Sequence, residues 1–307
     1  MSHTDKYRGI IPAFYACYGD DGEISTERTK AFAALLVKKG VKGLYVGGSS
    51  GECIYQSVED RKKLLEAVME EVKGKVTVIA HVACNNTKDS MELAAHAEKL
   101  GVDAIASIPP IYFKLPEHAV AKYWNDISSA APNTDFFIYN IPQLAGTALT
   151  VSLLREMLKN PRVTGVKNSS MPTQDIQCFK AEGTKGGRDF IVFNGPDEQL
   201  VSGLAIGADG GIGGTYAVMS ELYLAIFDLV KKGDIVKARA VQNDADAIIS
   251  VLASGRSNLY ATMKEVIKIR EGLDLGGVRA PLYPYTEADR EIVERSAKMI
   301  DEAVARL

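Results

Sequence analysis

The sequence predicts a (β/α)8 barrel, the TIM-barrel fold, followed by a group of C-terminal helices. Short apolar segments typical of buried strands alternate eight times with segments of helical periodicity. The 307 residues suit a barrel of about 250 residues with an appendage. After about residue 232 the strand-like segments stop and only helical periodicity continues. We therefore expect residues 1–232 to form the barrel and residues 233–307 to form a helical domain.

The first half of the barrel is predicted from four strand and helix pairs. Gly40 stops the first helix, and Ser57 with Asp60 forms a capping-box pattern at the start of the second. The predicted strands are 9–18, 43–49, 77–84 and 104–109, and the predicted helices are 26–39, 57–72, 90–100 and 118–130.

The second half repeats the pattern. Its predicted strands are 135–141, 163–170, 190–194 and 210–215, and its predicted helices are 151–158, 173–182, 198–206 and 220–231. Helices 235–254, 257–272 and 286–307 follow, and Thr286 with Asp289 predicts a capping box for the last of them. This helix carries an apolar stripe that we expect to serve subunit contacts: Val293, Ala297, Ile300, Val304 and Leu307.

Composition argues against several classes of partner. The formal net charge is −3 and the chain has no long basic run, so binding to nucleic acid or to an anionic membrane is not expected. No apolar run reaches the roughly 18 residues that span a bilayer, and the first eight residues are polar rather than leader-like. We expect a cytoplasmic protein without a membrane partner.

The cysteines and histidines do not predict a metal site. The four cysteines lie far apart without a C-x-x-C pair, which argues against a disulfide framework or a zinc ribbon. His81 and Cys84 are three residues apart on a predicted strand, so they should point to opposite faces. No metal and no other cofactor is therefore expected.

One lysine interrupts an otherwise apolar predicted strand, Val163-Thr164-Gly165-Val166-Lys167. Because strand side chains alternate between faces, Lys167 shares a face with Gly165 and Ser169, and the small Gly165 should leave room for the long amine. Burial can lower a lysine pKa by about 3–5 units and expose a nucleophilic lone pair, which suits imine chemistry on a ketone. Alternatively, the lysine lies at a strand end, turned to solvent or paired with an acid.

Polar residues follow the other predicted strands, at the barrel end where active sites form. After strand two, the turn Gly47-Gly48-Ser49-Ser50-Gly51-Glu52 offers N–H groups and hydroxyls for a carboxylate or phosphate, although it could be only a tight strand exit. Near the end of strand five, Tyr139 shares a face with Phe137 and lies on the strand next to that of Lys167. Its hydroxyl could move a proton or could belong to an ordinary core tyrosine.

Strand seven ends in Gly195-Pro196-Asp197-Glu198, beside the glycine-rich strand eight. Two carboxylates would repel a phosphate but accept hydrogen bonds from a row of hydroxyls, which predicts an edge that binds a polyol. Glu198 could instead cap the helix that follows.

Together, the GGSSGE turn, the YNIP strand end and the GVK lysine make nearly the whole chain resemble the N-acetylneuraminate lyase and dihydrodipicolinate synthase superfamily of class I pyruvate aldolases. The segments YVGGSSGE, IAHVAC, YNIPQLAG, FNGPDEQ and GADGGIGGTY are most similar to the N-acetylneuraminate lyase branch. The resemblance implies a Schiff-base aldolase that reversibly cleaves N-acetylneuraminate to N-acetylmannosamine and pyruvate, as a homotetramer.

The resemblance also implies roles for individual residues. Lys167 would form the Schiff base, Tyr139 would move protons with help from the Ser50 hydroxyl, and Ser49 with Ser50 would bind the carboxylate. Tyr112, after strand four, would reach the site of a neighbouring subunit.

Further residues are expected to contact the sugar. The carboxylates of Asp197 and Glu198 and the Gly195 backbone would hold its hydroxyls, and Ser169 and Gly214 complete the expected substrate contacts.

The chain departs from the family patterns at three positions. The synthase branch carries an arginine where this chain has Leu144, which counts against an amino-acid aldehyde as substrate. The lyase pattern usually reads GGSTGE and GGIGSTY, whereas this chain has Ser50 and Gly214 at the variable places. Other 2-keto-3-deoxy sugar acid aldolases, and a non-catalytic sensor of keto acids, remain alternatives.

Overall fold

The structure is a computed structural model that describes residues 2–307. The strands within this range are β1 (Gly9–Pro12), β2 (Gly43–Val46), β3 (Thr77–His81), β4 (Ala104–Ser107), β5 (Asp135–Asn140), β6 (Val163–Asn168), β7 (Ile191–Asn194) and β8 (Gly210–Gly213). They form one parallel sheet in the order β1-β8-β7-β6-β5-β4-β3-β2. The sheet closes after β1, where Ala13 bridges Tyr45 and the Phe14 N–H donates to the Tyr45 carbonyl at 2.9 Å. The predicted barrel is confirmed.

Helices alternate with the strands around the barrel and continue after it. They are α1 (Thr26–Lys38), α2 (Val58–Val72), α3 (Thr87–Leu100), α4 (Glu117–Ser129), α5 (Pro142–Ala145), α6 (Val151–Met157), α7 (Gln174–Gly183), α8 (Leu200–Ala205), α9 (Ser220–Lys231), α10 (Ile235–Leu252), α11 (Leu259–Glu271) and α12 (Arg290–Val304). Sequence analysis missed the short α5, which begins at Pro142, where a proline is tolerated. Within residues 2–307, no helix is both long and apolar enough to cross a membrane.

Several strands end earlier than their apolar patterns predict. Strand β2 ends at Val46 because Gly47 adopts a left-handed φ of 73° and turns the chain. Strand β1 ends at Pro12, although residues 13–18 stay buried. An apolar pattern reports burial, whereas a strand also needs a partner for its backbone groups.

The two predicted capping boxes have different outcomes. At the start of α2 the Asp60 N–H donates to Ser57 Oγ and the Ser57 N–H donates to Asp60 Oδ2, both at 3.0 Å, so this box is confirmed. The Thr286 box is wrong, because no side chain caps that turn. The carboxylate of Asp289 instead accepts the N–H groups of Arg256 at 3.0 Å and Ser257 at 2.7 Å, which ties the start of α12 to the loop before α11.

The stripe on α12 is not a free surface. Val293, Ala297 and Ile300 are at most 4% exposed, and the helix packs against α10 and α11. These three residues therefore stabilise the chain's own helical group and cannot serve subunit contacts, whereas Leu307 at the end of the stripe is 56% exposed.

The barrel lumen is packed by one face of each strand. A Cβ on Gly165 would lie 2.5 Å from the Phe137 ring and 2.3 Å from the Ile191 carbonyl oxygen. The Phe137 ring therefore fills the space beside Gly165. The prediction that this space accommodates the Lys167 side chain is wrong. The other buried apolar residues of the lumen are Tyr7, Ile11, Ala13, Tyr45, Ile79, Ala104, Ala106, Tyr139, Phe193 and Ile212.

Candidate active site

Lys167 lies near the carboxyl end of β6 and is 4% exposed. The parallel register places it beside Tyr139 of β5. Its Nζ lies 3.9 Å from the centroid of the Tyr139 ring and 4.4 Å from that of Tyr45. The lysine is therefore enclosed in the lumen rather than turned to solvent.

Enclosure changes the protonation of this amine. Burial lowers the pKa of Lys167 to about 7, although the negative charge of the nearby Asp197 carboxylate acts in the opposite direction. Near neutral pH a large fraction of the amine carries a free lone pair. Such an amine can attack a carbonyl carbon without being deprotonated by another base.

Tyr139 lies in the same lumen and is 3% exposed. Burial raises the pKa of Tyr139 to about 12, while hydrogen bonding with the Ser49 and Ser169 hydroxyls partly offsets this rise. The phenol is therefore protonated at neutral pH and lies next to the amine. Hydroxyl neighbours give it a route to exchange a proton.

The turn after β2 places two serines at the barrel mouth. Residues Ser49–Gly51 form a 3-10 helix, in which the Gly51 and Glu52 N–H groups donate to the Gly48 and Ser49 carbonyls at 3.0 Å. These two N–H groups are therefore occupied within the turn, and the Ser49 and Ser50 hydroxyls line the cavity beside it.

Asp197 is held at the end of β7 by the loop after β8. Its Oδ2 accepts the N–H and the Oγ1 hydroxyl of Thr215, both at 2.6 Å. A Cβ on Gly213 would lie 2.0 Å from Asp197 Oδ1, so this position requires a glycine. Burial raises the pKa of Asp197 to about 6, against the two hydrogen bonds from Thr215. The carboxylate is mostly ionised at neutral pH and can accept hydroxyl protons.

The neighbouring residues complete the predicted polyol edge. Glu198 is exposed and lines the cavity. No side chain caps the two helical turns that begin here, so Glu198 does not act as a helix cap. A Cβ on Gly195 would lie 2.0 Å from Ser169 Oγ. Glycine at this position therefore lets β7 approach the serine that follows β6.

A cavity of about 290 Å³ joins these residues at the carboxyl end of the strands. All the residues that the sequence pointed to line it except Tyr112: Ser49, Ser50, Tyr139, Lys167, Ser169, Gly195, Asp197, Glu198 and Gly214. Tyr112 lies on the loop after β4, is 91% exposed and has a φ of 84°. The monomer therefore does not bring it to its own cavity.

Sequence analysis missed a group of residues that close the cavity from outside the barrel. Tyr260, Leu259 and Met263 come from α11, Ile249 comes from α10, Gln143 comes from the short α5, and Met171 comes from the loop after β6. Ser50 Oγ donates to the Tyr260 hydroxyl at 3.4 Å. No local pattern marks Tyr260, since its position depends on how the C-terminal helices pack on the barrel.

His81 and Cys84 meet a guanidinium group. Arg61 donates to Cys84 Sγ at 3.3 Å and lies 3.5 Å from His81 Nδ1. The two side chains do not point to opposite faces of one strand, because Cys84 lies beyond the end of β3. Burial lowers the pKa of His81. The described part of the chain contains no group of three or more acidic, histidine or cysteine side chains placed to hold a metal.

Comparison with known proteins gives consistent matches along the chain. The model of the dihydrodipicolinate synthetase family matches residues 6–300. An N-acetylneuraminate lyase from Mediterraneibacter gnavus is 61% identical over 99% of this chain and 95% of its own length. N-acetylneuraminate lyase 2 from Escherichia coli is 32% identical over 97% of this chain and 95% of its own length.

Solved structures agree with these matches. The wild-type sialic acid aldolase of Ruminococcus gnavus superposes with a TM-score of 0.96 at 60% identity, covering 98% of this chain and 99% of its own. The catalytic lysine mutant of that aldolase superposes with a TM-score of 0.97 at 59% identity, covering 100% of this chain and 99% of its own.

Proposed function

Because the chain belongs to the dihydrodipicolinate synthetase family, we propose that it is a lyase that reversibly cleaves N-acetylneuraminate to N-acetylmannosamine and pyruvate. The relatives that it matches along nearly its whole length are N-acetylneuraminate lyases and sialic acid aldolases. The observation that carries the proposal is the enclosed Lys167 amine, with its pKa near 7, in one cavity with Tyr139 and Asp197.

The proposed chemistry is that of a Schiff-base aldolase without metal or other cofactor. The neutral Lys167 amine adds to the C2 ketone of the open-chain sugar acid, and loss of water leaves an imine. Tyr139 then relays the proton of the C4 hydroxyl: the phenol accepts it as its own proton passes through the Ser49 hydroxyl to the substrate carboxylate. At the same time the C3–C4 bond breaks, and the bonding electrons move into the protonated imine to give an enamine. Protonation of C3 and hydrolysis release pyruvate and restore the amine. In this scheme the Ser49 and Ser50 hydroxyls hold the substrate carboxylate.

The edges of the cavity support a neutral polyhydroxy aldehyde as the leaving half. Leu144 lines the cavity and is 64% exposed. Because a leucine carries no charge, this position cannot bind a second carboxylate. Asp197 and Glu198 supply acceptors for hydroxyls and would repel a phosphate. Gly195, Ser169 and Gly214 line the same cavity. We expect no useful condensation of pyruvate with aspartate semialdehyde.

We further propose a cytoplasmic homotetramer without nucleic acid or membrane partners. Tyr112 and Phe113 are 91% and 71% exposed, and Ile54 is 58% exposed. Exposed apolar side chains of this size are typical of protein contact sites. In this proposal Tyr112 enters the site of a neighbouring subunit.

A coupled assay for released pyruvate tests the substrate. We expect the highest kcat/KM with N-acetylneuraminate, compared with 2-keto-3-deoxygluconate and the phosphorylated forms of both acids. The assay includes 2-keto-3-deoxygluconate because Gly214 lacks the side chain that could hydrogen-bond to the sugar. The loss of one such bond, about 0.5–1.5 kcal/mol, would shift the preference between sugar acids roughly tenfold. A higher kcat/KM for 2-keto-3-deoxygluconate would make the chain another sugar acid aldolase. Binding of keto acids without any turnover would make it a sensor.

A further inference from the structure

Tyr260 is fixed over the cavity by contacts at both ends of its helical turn. Its N–H donates to the Asn258 side chain at 3.0 Å at the start of α11. One turn later Lys264 Nζ lies 3.0 Å from Glu52 Oε1 in an ion pair whose side chains are at most 1% exposed. Residues four apart share a helix face, and Glu52 belongs to the same turn as Ser50. The ion pair therefore holds the Tyr260 hydroxyl beside Ser50.

Gly214 lies against Ser50 and Tyr260 at the wall of the cavity. Its φ of −71° and ψ of −43° suit any residue, so the backbone does not require glycine at this position. A Cβ on residue 214 would lie 3.2 Å from Ser50 Oγ and 3.8 Å from Tyr260 Cε1. A side chain at this position would therefore narrow the cavity between two hydroxyl-bearing residues.

The Tyr260 hydroxyl has a proton to give at this place. Before substrate binds, Ser50 Oγ donates to it, so the phenol keeps its own proton for another acceptor. When Ser50 turns its proton to the substrate carboxylate, the phenol proton is still available to the other half of the substrate. Burial raises the pKa of Tyr260 to about 12, so the group is a neutral donor at neutral pH.

We propose that Tyr260 is a specificity-determining residue, whose hydroxyl donates to an oxygen of the aldehyde half of the substrate in the part of the cavity that adjoins Gly214. Residue 214 directly precedes Thr215, which holds Asp197 at the polyol edge. This space therefore adjoins the part of the cavity that we assigned to the sugar hydroxyls. The inference rests on the proposed lyase function.

Tyr260→Phe tests this in the condensation direction, where the two halves of the substrate are varied separately. We expect the KM for N-acetylmannosamine to rise about tenfold, the scale of one hydrogen bond. The KM for pyruvate and the rate of borohydride trapping of its imine should change much less, because the Tyr260 hydroxyl meets the pyruvate half only through Ser50. Tyr283→Phe, which removes a hydroxyl from a 57% exposed tyrosine outside the cavity, is the matched control.

Gly214→Ala is the second variant, because a methyl group there would narrow the cavity beside Tyr260. We expect it to raise the KM for N-acetylmannosamine while imine trapping with pyruvate continues. An unchanged KM for N-acetylmannosamine in either variant, or an equal rise in the KM for pyruvate, would overturn the inference. The wild-type protein assayed in parallel separates this from the proposed function: without wild-type condensation the lyase proposal itself fails.

Discussion

At the scale of single residues, the site depends on two buried ionisable groups that influence each other. Burial lowers the pKa of Lys167 to about 7 and raises the pKa of Asp197 to about 6. The charged forms attract one another, so each opposes the effect of burial on its partner. Above pH 7 both the neutral amine and the ionised carboxylate predominate, and we expect kcat/KM to rise as pH increases toward this range.

Asp197→Asn tests the coupling between these groups. The carboxylate raises the lysine pKa, so its removal should lower that pKa and move the acid limb of imine trapping to lower pH by roughly half a unit or more. The trapping rate with pyruvate, measured between pH 5 and 9, gives the shift. Glu198→Gln is the matched control, because this exposed carboxylate is not among the charges that act on Lys167. A shift to higher pH would contradict the assignment.

Tyr139→Phe tests the proton route. The variant keeps the ring beside the amine and removes only the hydroxyl, so we expect kcat for cleavage to fall about 10²-fold or more, the scale of a positioned acid or base. Imine trapping with pyruvate should persist, because it does not need the proton of the C4 hydroxyl. Near-normal turnover would instead make Tyr139 an ordinary core tyrosine.

At the scale of elements, the turn after β2 is joined to α11 by a buried charge. Glu52 has a φ of 57° and is 1% exposed. Its carboxylate pairs with Lys264 and accepts the N–H of Arg279 at 2.8 Å and the hydroxyl of Tyr18 at 3.2 Å. This residue therefore fixes the serine turn to the C-terminal helices instead of facing the cavity.

Lys264→Met should be strongly destabilising because it leaves the Glu52 carboxylate buried without its ion-pair partner. We expect a loss of about 3–5 kcal/mol in the free energy of unfolding, measured in urea, and a smaller loss in the double variant with Glu52→Gln. Lys268→Met is the control, since the side chains of its ion pair with Asp274 are 48% and 43% exposed and such pairs contribute about 0–1 kcal/mol. Equal losses in the two single variants would contradict the role of the buried pair.

The sequence predicted the parts of the fold and site that local patterns determine. Alternation placed Lys167 and Tyr139 on lumen faces of neighbouring strands, and the parallel order brought their ends together. It could not predict Tyr260, whose contact with Ser50 joins residues 210 positions apart. For the same reason it assigned Asp289 to a local cap, whereas the carboxylate binds the distant loop at Ser257.

At the scale of the whole molecule, the exposed apolar residues lie away from the helix that we expected to form subunit contacts. Val293, Ala297 and Ile300 of the α12 stripe are buried within the chain, while Ile54, Tyr112 and Phe113 are exposed. The Tyr112 and Phe113 rings pack edge to face with centroids 5.0 Å apart. We therefore propose that subunits meet at this loop rather than along α12.

Subunit mixing tests whether Tyr112 serves a neighbouring site. We expect a tetramer in sedimentation, and low activity in Tyr112→Ala although this residue does not line its own cavity. Mixing Tyr112→Ala with the inactive Lys167→Ala variant under conditions of subunit exchange should restore activity, because hybrid assemblies combine an intact lysine with a neighbour's tyrosine. Tyr283→Ala serves as the exposed control. A fully active monomer, or no recovery in confirmed hybrids, would contradict the proposal.

The most direct test of the whole account is to reduce the protein with borohydride in the presence of pyruvate and map the product by mass spectrometry. Reduction converts an imine into a stable secondary amine, so a covalent intermediate leaves a single carboxyethyl group on the lysine that formed it. The account predicts one modified peptide, containing Lys167, and no such modification in Lys167→Ala. Absence of the adduct from the wild-type protein, or its persistence in Lys167→Ala, would contradict the covalent mechanism proposed for this site.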